Sequence, residues 1–197
     1  SKRTDEPVKK TVRYSINPEY AKNIDSWDRN GRARGQSFIL GRTGDTLQQL
    51  GAKERSIYML SDKINTILKT HPEMTLEEIK RIPEVLDDPT MVLTSQNKMQ
   101  KNPNTRLVMF GSVKAQDGRP VLCVLDLMPR EGGIIINDMQ KLTSAYTKDV
   151  NPVEFVRSSD VLYVSENKEK TTALMQSLGF KVPVGLQRYG SIGSIAY

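Results

Sequence analysis

Two long runs rich in β-branched and large apolar side chains, residues 106–113 and 120–127, are separated by Gln116-Asp117-Gly118-Arg119. Asp-Gly readily supplies the positive φ that a tight loop between antiparallel strands requires, so the pair predicts a β-hairpin. Residues 91–94, 134–136, 142–146 and 161–164 are further strand candidates, all downstream of Pro89. Upstream of Pro89 the texture is mainly helical, with short strands at 36–40 and 56–60. Helices first and strands after predict an α+β class, with N-terminal helices packed on a mainly antiparallel β-sheet.

The helical signals are local. Tyr20, Ile24 and Trp27 are spaced for one helical face that closes at Gly31. Asp45 can cap a short helix carrying Leu47 and Leu50 and ending at Gly51. Ser61 can cap the next, in which Ile64, Ile67 and Leu68 form the apolar stripe and His71 stands in the last turn before Pro72. Thr75-Leu76-Glu77-Glu78 is a capping box opening a helix that Pro83 is expected to end. Residues 154–157 hold a helical turn, and 168–178 read as a helix closed by Gly179. With no repeat period and no low-complexity tract, the expectation is one α+β domain over 14–197 behind a flexible leader, 1–13.

Charge narrows the partners. Twenty-nine Lys and Arg against 23 Asp and Glu give +6 with the single His neutral, and a pI near 9.4. This fits a polyanion such as nucleic acid, although solubility alone accounts for it. Mean hydropathy is −0.49, and the most apolar run, 121–128, is broken by Asp126 and falls far short of the roughly 20 residues a spanning helix needs. No membrane partner is expected. Residues 1–11 are charged and lack the apolar segment of a secretory signal, so the expected location is cytoplasmic. One cysteine and one histidine cannot build an internal disulfide or a Cys/His zinc site, and neither metal nor cofactor is expected. Cys123 reads as a small core side chain, with a nucleophilic thiol as the alternative.

Few side chains can do chemistry. His71 alone has an ordinary pKa that allows proton exchange near neutrality, while a helix-terminal histidine complementing the helix dipole explains the same position. Alternation places Ser144, Tyr146 and Lys148 on one face of a strand and its exit, a polar row that suits either a site or a solvent-facing edge. Arg29, Arg32, Arg34 and Arg42 are interleaved with Gly31, Gly35, Gly41 and Gly44, so cations and open amides could meet a phosphate chain, or serve a soluble loop. The segment matches neither a P-loop nor a dinucleotide fingerprint. Asp87-Asp88 before Pro89 reads as a turn, without the surrounding carboxylates of a two-metal nuclease.

The strings Phe38-Ile39-Leu40-Gly41-Arg42-Thr43, residues 47–51, Ile82-Pro83-Glu84-Val85-Leu86-Asp87-Asp88-Pro89 and Thr94-Ser95 resemble the C-terminal domain of phage MuF-type head proteins. Arg106-Leu107-Val108, Gly118-Arg119-Pro120-Val121 and Ser144-Ala145-Tyr146-Thr147-Lys148-Asp149 continue the likeness in order, over residues 14–164. Such domains occur in phage, prophage and mobile-element polyproteins. The resemblance implies the barnase, EndoU, colicin-type and RelE-like ribonuclease fold, with helices before a four- or five-stranded antiparallel sheet. It also sets His71 on a helix-end histidine, Ser95 on a strand-end serine, and Ser144, Tyr146 and Lys148 on a Ser-x-Tyr-x-Lys segment. The usual glycine before the lysine is Thr147 here.

What the resemblance implies as chemistry is metal-independent endoribonuclease action by a toxin-type effector. A base takes the 2′-OH proton, the oxygen attacks phosphorus, and an acid protonates the leaving 5′-oxygen. His71 could fill either role. Lys148, with Arg106 or Lys98, would stabilise the phosphorane charge, and Ser95, Ser144 and Tyr146 would hold the phosphate. RNA is then the partner, with an immunity or antitoxin protein as a second, in a bacterial host or in a target cell reached by phage particle or secretion. Two other readings stay open. One is a catalytically silent nucleic-acid-binding module, which needs no convergence of His71, Ser95 and Tyr146. The other is ADP-ribose transfer, prompted by Arg13-Tyr14-Ser15 and needing a glutamate, Glu154 or Glu166, in the same cleft.

Overall fold

A computed structural model of the chain describes residues 15–94, 105–148 and 151–180. The leader 1–13, Arg13, Tyr14, Ser95 and Lys98 lie outside the described residues. In chain order the elements are α1 (Tyr20–Arg29), β1 (Ser37–Arg42), α2 (Asp45–Gln49), β2 (Ser56–Leu60), α3 (Ser61–Thr70), α4 (Leu76–Asp87), β3 (Met91–Thr94) and β4 (Arg106–Lys114). There follow β5 (Pro120–Asp126), β6 (Arg130–Glu131), β7 (Ile134–Ile135), β8 (Met139–Tyr146), α5 (Pro152–Arg157), β9 (Val161–Val164) and α6 (Lys168–Ser177).

The main sheet runs β1-β2-β8-β5-β4-β3-β9, and every described pairing in it is antiparallel except β2 with β8. The fold is therefore mixed α/β around a mostly antiparallel sheet. Among the described residues seven strands take part where the resemblance implied four or five, and helices cover both faces. The reason is legible along β5, whose side chains are all buried. Val121, Cys123 and Leu125 join a core with Tyr20, Ile24, Ile64, Ile67, Ile79 and Ile82 from α1, α3 and α4. Leu122 and Val124 face the opposite way, into a second core with Val156, Leu174, Met175 and Leu178 from α5 and α6. A strand buried on both faces reads as a continuous apolar run, as Val121-Leu122-Cys123-Val124-Leu125 does.

Cys123 is fully buried in the first core and its burial pushes the thiol pKa up, so it is a core side chain and the nucleophilic alternative falls. Residues 134–135 do not enter the main sheet. They pair with β6 as a separate ribbon, with Ile134 and Ile135 exposed.

Pro83 does not end its helix. α4 continues to Asp87 with Pro83 buried inside it. A helical proline lacks the N–H that would bond the carbonyl four residues back, here that of Ile79. The Tyr20 hydroxyl donates to the Ile79 carbonyl at 2.7 Å, so the acceptor is served from α1. Two expected caps also differ. Ser61 is the first residue of α3 and its Oγ accepts the Gln36 N–H at 3.1 Å, a tertiary bond in place of a cap. Asp45 is likewise the first residue of α2, with Gly44 at the N-cap. The Thr75–Glu78 capping box is formed as expected.

Candidate active site

The β4–β5 hairpin tip, the α3–α4 connection and the C-terminal end of β8 meet at one place. His71 is the C-cap of α3, and its N–H still bonds the Ile67 carbonyl at 2.8 Å. The chain then turns through Pro72 and Glu73, the Met74 N–H closing the turn on the His71 carbonyl at 2.9 Å. Gln116 at the hairpin tip donates its N–H to the Glu73 carbonyl at 3.0 Å, and its side-chain amide reaches the capping-box carboxylate of Glu78. The turn is therefore fastened to the sheet at its tip.

Within this junction the His71 and Tyr146 rings stack, centroids 5.0 Å apart and planes 15° from parallel. Glu73 Oε1 lies 3.5 Å from His71 Nδ1 and receives the Thr147 hydroxyl at 3.1 Å and the Thr147 N–H at 3.4 Å. The Glu73 side chain is 14% exposed and that of His71 34%, so the carboxylate is sheltered while the imidazole keeps access to solution. Burial raises the Tyr146 pKa, which keeps the phenol protonated as a hydrogen-bond donor. Asp117 stands beside Thr147. Burial raises its carboxyl, but the Arg119 N–H and guanidinium and the Thr147 hydroxyl outweigh that effect and leave it below the usual carboxylate range. Arg119 holds Asp117 through Nη2 at 2.6 Å and its backbone N–H at 2.9 Å, bringing a guanidinium to the same strand end.

Of the residues singled out from sequence, His71 and Tyr146 are brought together. Ser144 shares the Tyr146 face, opposite Val124, two residues back along β8 and so about 7 Å away. Lys148 lies beyond the strand end, where its Nζ sits 4.7 Å from the centre of the Phe155 ring on α5. Arg106 pairs with Asp126 at 3.7 Å. The register sets that pair four residues along β5 from the Leu122–Tyr146 level, about 13 Å down the strands, so Arg106 does not reach the His71 junction.

The arginine loop packs at the other end of α3. Gly35 and Gln36 bond Asp62 and Ser61 at the helix N-terminus, which over ten residues stands about 15 Å from His71. Arg29 and Arg34 are exposed there. Arg32 is tied to Asp28 at 2.8 Å, and Arg42 to Glu54 at 3.3 Å. Arg42 also lines a separate cleft of about 660 Å³ in which Asp45, Glu54, Asp87 and Asp88 outnumber it, an electrostatic setting opposed to phosphate. Gly41 serves packing: a Cβ there would fall 1.8 Å from the Ser15 carbonyl oxygen. Ser15 itself bonds Asp87. Glu154 is exposed on α5, and Glu166 is exposed in the β9–α6 connection.

Sequence reasoning missed Glu73, Thr147, Asp117 and Arg119 as members of the site. For Thr147 a signal existed, since it replaces the glycine of the Ser-x-Tyr-x-Lys segment. For Glu73 the only signal was its place two residues after His71. Among the described residues no group of three or more His, Cys, Asp or Glu could hold a metal ion, and no helix is long and apolar enough to cross a membrane.

The family model described as the phage MuF C-terminal domain matches residues 63–171, more than half of the chain. No curated protein and no solved structure gave a match.

Proposed function

Since the chain belongs to the phage MuF C-terminal domain family, we propose that it is a metal-independent endoribonuclease of phage or mobile-element origin, with His71 as the proton-transfer group. The observation that carries the reading is the convergence of His71, Tyr146 and the Glu73 carboxylate at one partly open junction. A surface that only bound nucleic acid would not need its one imidazole stacked on a phenol and faced by a sheltered carboxylate.

The chemistry follows from those groups. His71 takes the 2′-OH proton and then hands it to the leaving 5′-oxygen, and the neighbouring carboxylate stabilises the imidazolium between the two steps. Tyr146, kept protonated by burial, donates to a phosphate oxygen. Positive charge for the phosphorane comes from Arg119 at the hairpin tip, together with Lys148 once its ammonium leaves the Phe155 ring. The proposed fold kinship is with the barnase, EndoU and RelE-like ribonucleases, and what supports it is that α3 and α4 precede the strands of the antiparallel run β8-β5-β4-β3. RNA is the proposed substrate, with an immunity or antitoxin protein as its natural restraint.

The test is cleavage of total RNA and of a matched 2′-deoxy oligonucleotide by the purified chain in chelator. RNA cut to 2′,3′-cyclic phosphate ends, with the deoxy strand intact, supports the reading. Cleavage of both strands alike, or of neither, overturns it, and RNA bound without cleavage puts the binding module in its place.

A further inference from the structure

We infer that Glu73 is the positioning residue of His71, and that Thr147 holds Glu73 in place for that task. An imidazole on a single Cβ has two rotations to fix before either nitrogen can be aimed. The stack on Tyr146 fixes the plane of the ring, with 15° between the two planes. Glu73 fixes which edge faces inward, because its Oε1 stands 3.5 Å from Nδ1.

A carboxylate can only accept hydrogen bonds, so the nitrogen it faces is the one that carries the proton. Nδ1–H toward Glu73 leaves Nε2 with its lone pair on a ring that is about one-third exposed. That is the arrangement a general base requires. Glu73 is itself held from two elements. Its carbonyl takes the Gln116 N–H of the β4–β5 hairpin, and its carboxylate takes the N–H and hydroxyl of Thr147 at the end of β8. The Thr147 hydroxyl has a single proton and also stands beside Asp117, so its N–H is the constant tie. A solvent-facing glutamate in a turn has no need of these bonds.

The kinetic side of the inference rests on the ribonuclease reading; the tautomer does not, and so the two can fail separately. His71 is the one histidine in the chain, so long-range ¹H–¹⁵N spectra of the histidine-labelled full chain contain one imidazole. Of the two neutral tautomers, the Nδ1–H form should dominate in the wild type. In Glu73→Ala the ring should revert to the Nε2–H form that a free histidine side chain prefers, with the backbone amide spectrum otherwise preserved. Glu73→Gln keeps an acceptor oxygen and should retain the Nδ1–H form, which guards against a variant that simply fails to fold. In RNA cleavage Glu73→Ala should lower kcat by roughly 10²-fold with KM little changed, the cost of a misaimed group. An Nε2–H form in the wild type, or an Nδ1–H form that persists in Glu73→Ala, overturns the inference. Wild-type protein that cleaves no RNA counts against the ribonuclease reading alone, because the tautomer is read without substrate.

Discussion

Replacing Tyr20 by Phe removes one hydroxyl from a site that is otherwise closed. Tyr20 is 1% exposed and Ile79 is fully buried. Burial pushes the phenol pKa up, so the hydroxyl stays protonated and donates to the Ile79 carbonyl at 2.7 Å. Pro83, which stands where the helical donor would be, has no N–H to offer in its place. Tyr20→Phe therefore leaves a buried acceptor without its donor, a loss of about 1–3 kcal/mol. For a domain of this size each kcal/mol moves the midpoint by about 2–4 °C, so Tm should fall by roughly 2–12 °C. Pro83→Ala restores an N–H four residues after Ile79. In that background the same tyrosine change should cost much less, with a coupling of about 0.5–3 kcal/mol between the two sites. Urea and thermal unfolding of the four proteins, followed by circular dichroism, close the cycle. An equal cost of Tyr20→Phe in both backgrounds refutes the account of how α4 passes through its proline.

Other consequences concern pH, packing and salt. Burial raises the Glu78 pKa, but bonds from the Thr75 side chain, the Gln116 amide and the Thr75 N–H outweigh it and leave the value below its ordinary 4.5. A lowered folded value means stability that is present above pH 4.5 and lost as pH falls through the folded value. Glu78→Gln should flatten that part of the curve of urea midpoint against pH, and an unaltered curve would put the acid sensitivity elsewhere. Gly41→Ala should expel the segment at Ser15 or strain β1, at a cost of about 1–3 kcal/mol, because the new Cβ meets the Ser15 carbonyl at 1.8 Å; a melting point equal to wild type would contradict the close approach. Alanine at both Arg29 and Arg34 should flatten the dependence of single-stranded RNA affinity on log salt by about 0.7 for each phosphate that is no longer neutralised, and an unchanged slope would remove the loop from the RNA path.

The hairpin at Asp117-Gly118 and the Thr75–Glu78 cap were legible because each is settled by residues a few positions apart. Pro83 and Ser61 misled for the converse reason. The donor that lets α4 continue is Tyr20, 59 residues away, and the partner that takes Ser61 from its cap is Gln36. The parallel pairing of β2 with β8 is equally hidden, since Ser56 meets Met139 only after the helices and β3–β5 are in place. At the site, His71 and Tyr146 could be picked from their chemistry, but their stacking depends on the hairpin tip docking onto the α3–α4 turn. Glu73 was passed over because a glutamate after proline resembles any exposed turn, and the hydroxyl that holds its carboxylate is that of Thr147, 74 residues on. Lys148 was placed with Ser144 and Tyr146 by strand alternation, which has no hold past the strand end at Tyr146.

The most direct test of the account is the single-turnover rate at which His71→Ala cleaves a defined single-stranded RNA in the presence of chelator. Loss of a positioned acid or base typically costs about 10²–10⁴ in rate, so the variant should be slower by that factor. Because the His71 side chain is one-third exposed at a helix end, the melting temperature should stay near that of the wild type. A variant that folds and cleaves at the wild-type rate would contradict the account and leave His71 as a helix terminus only.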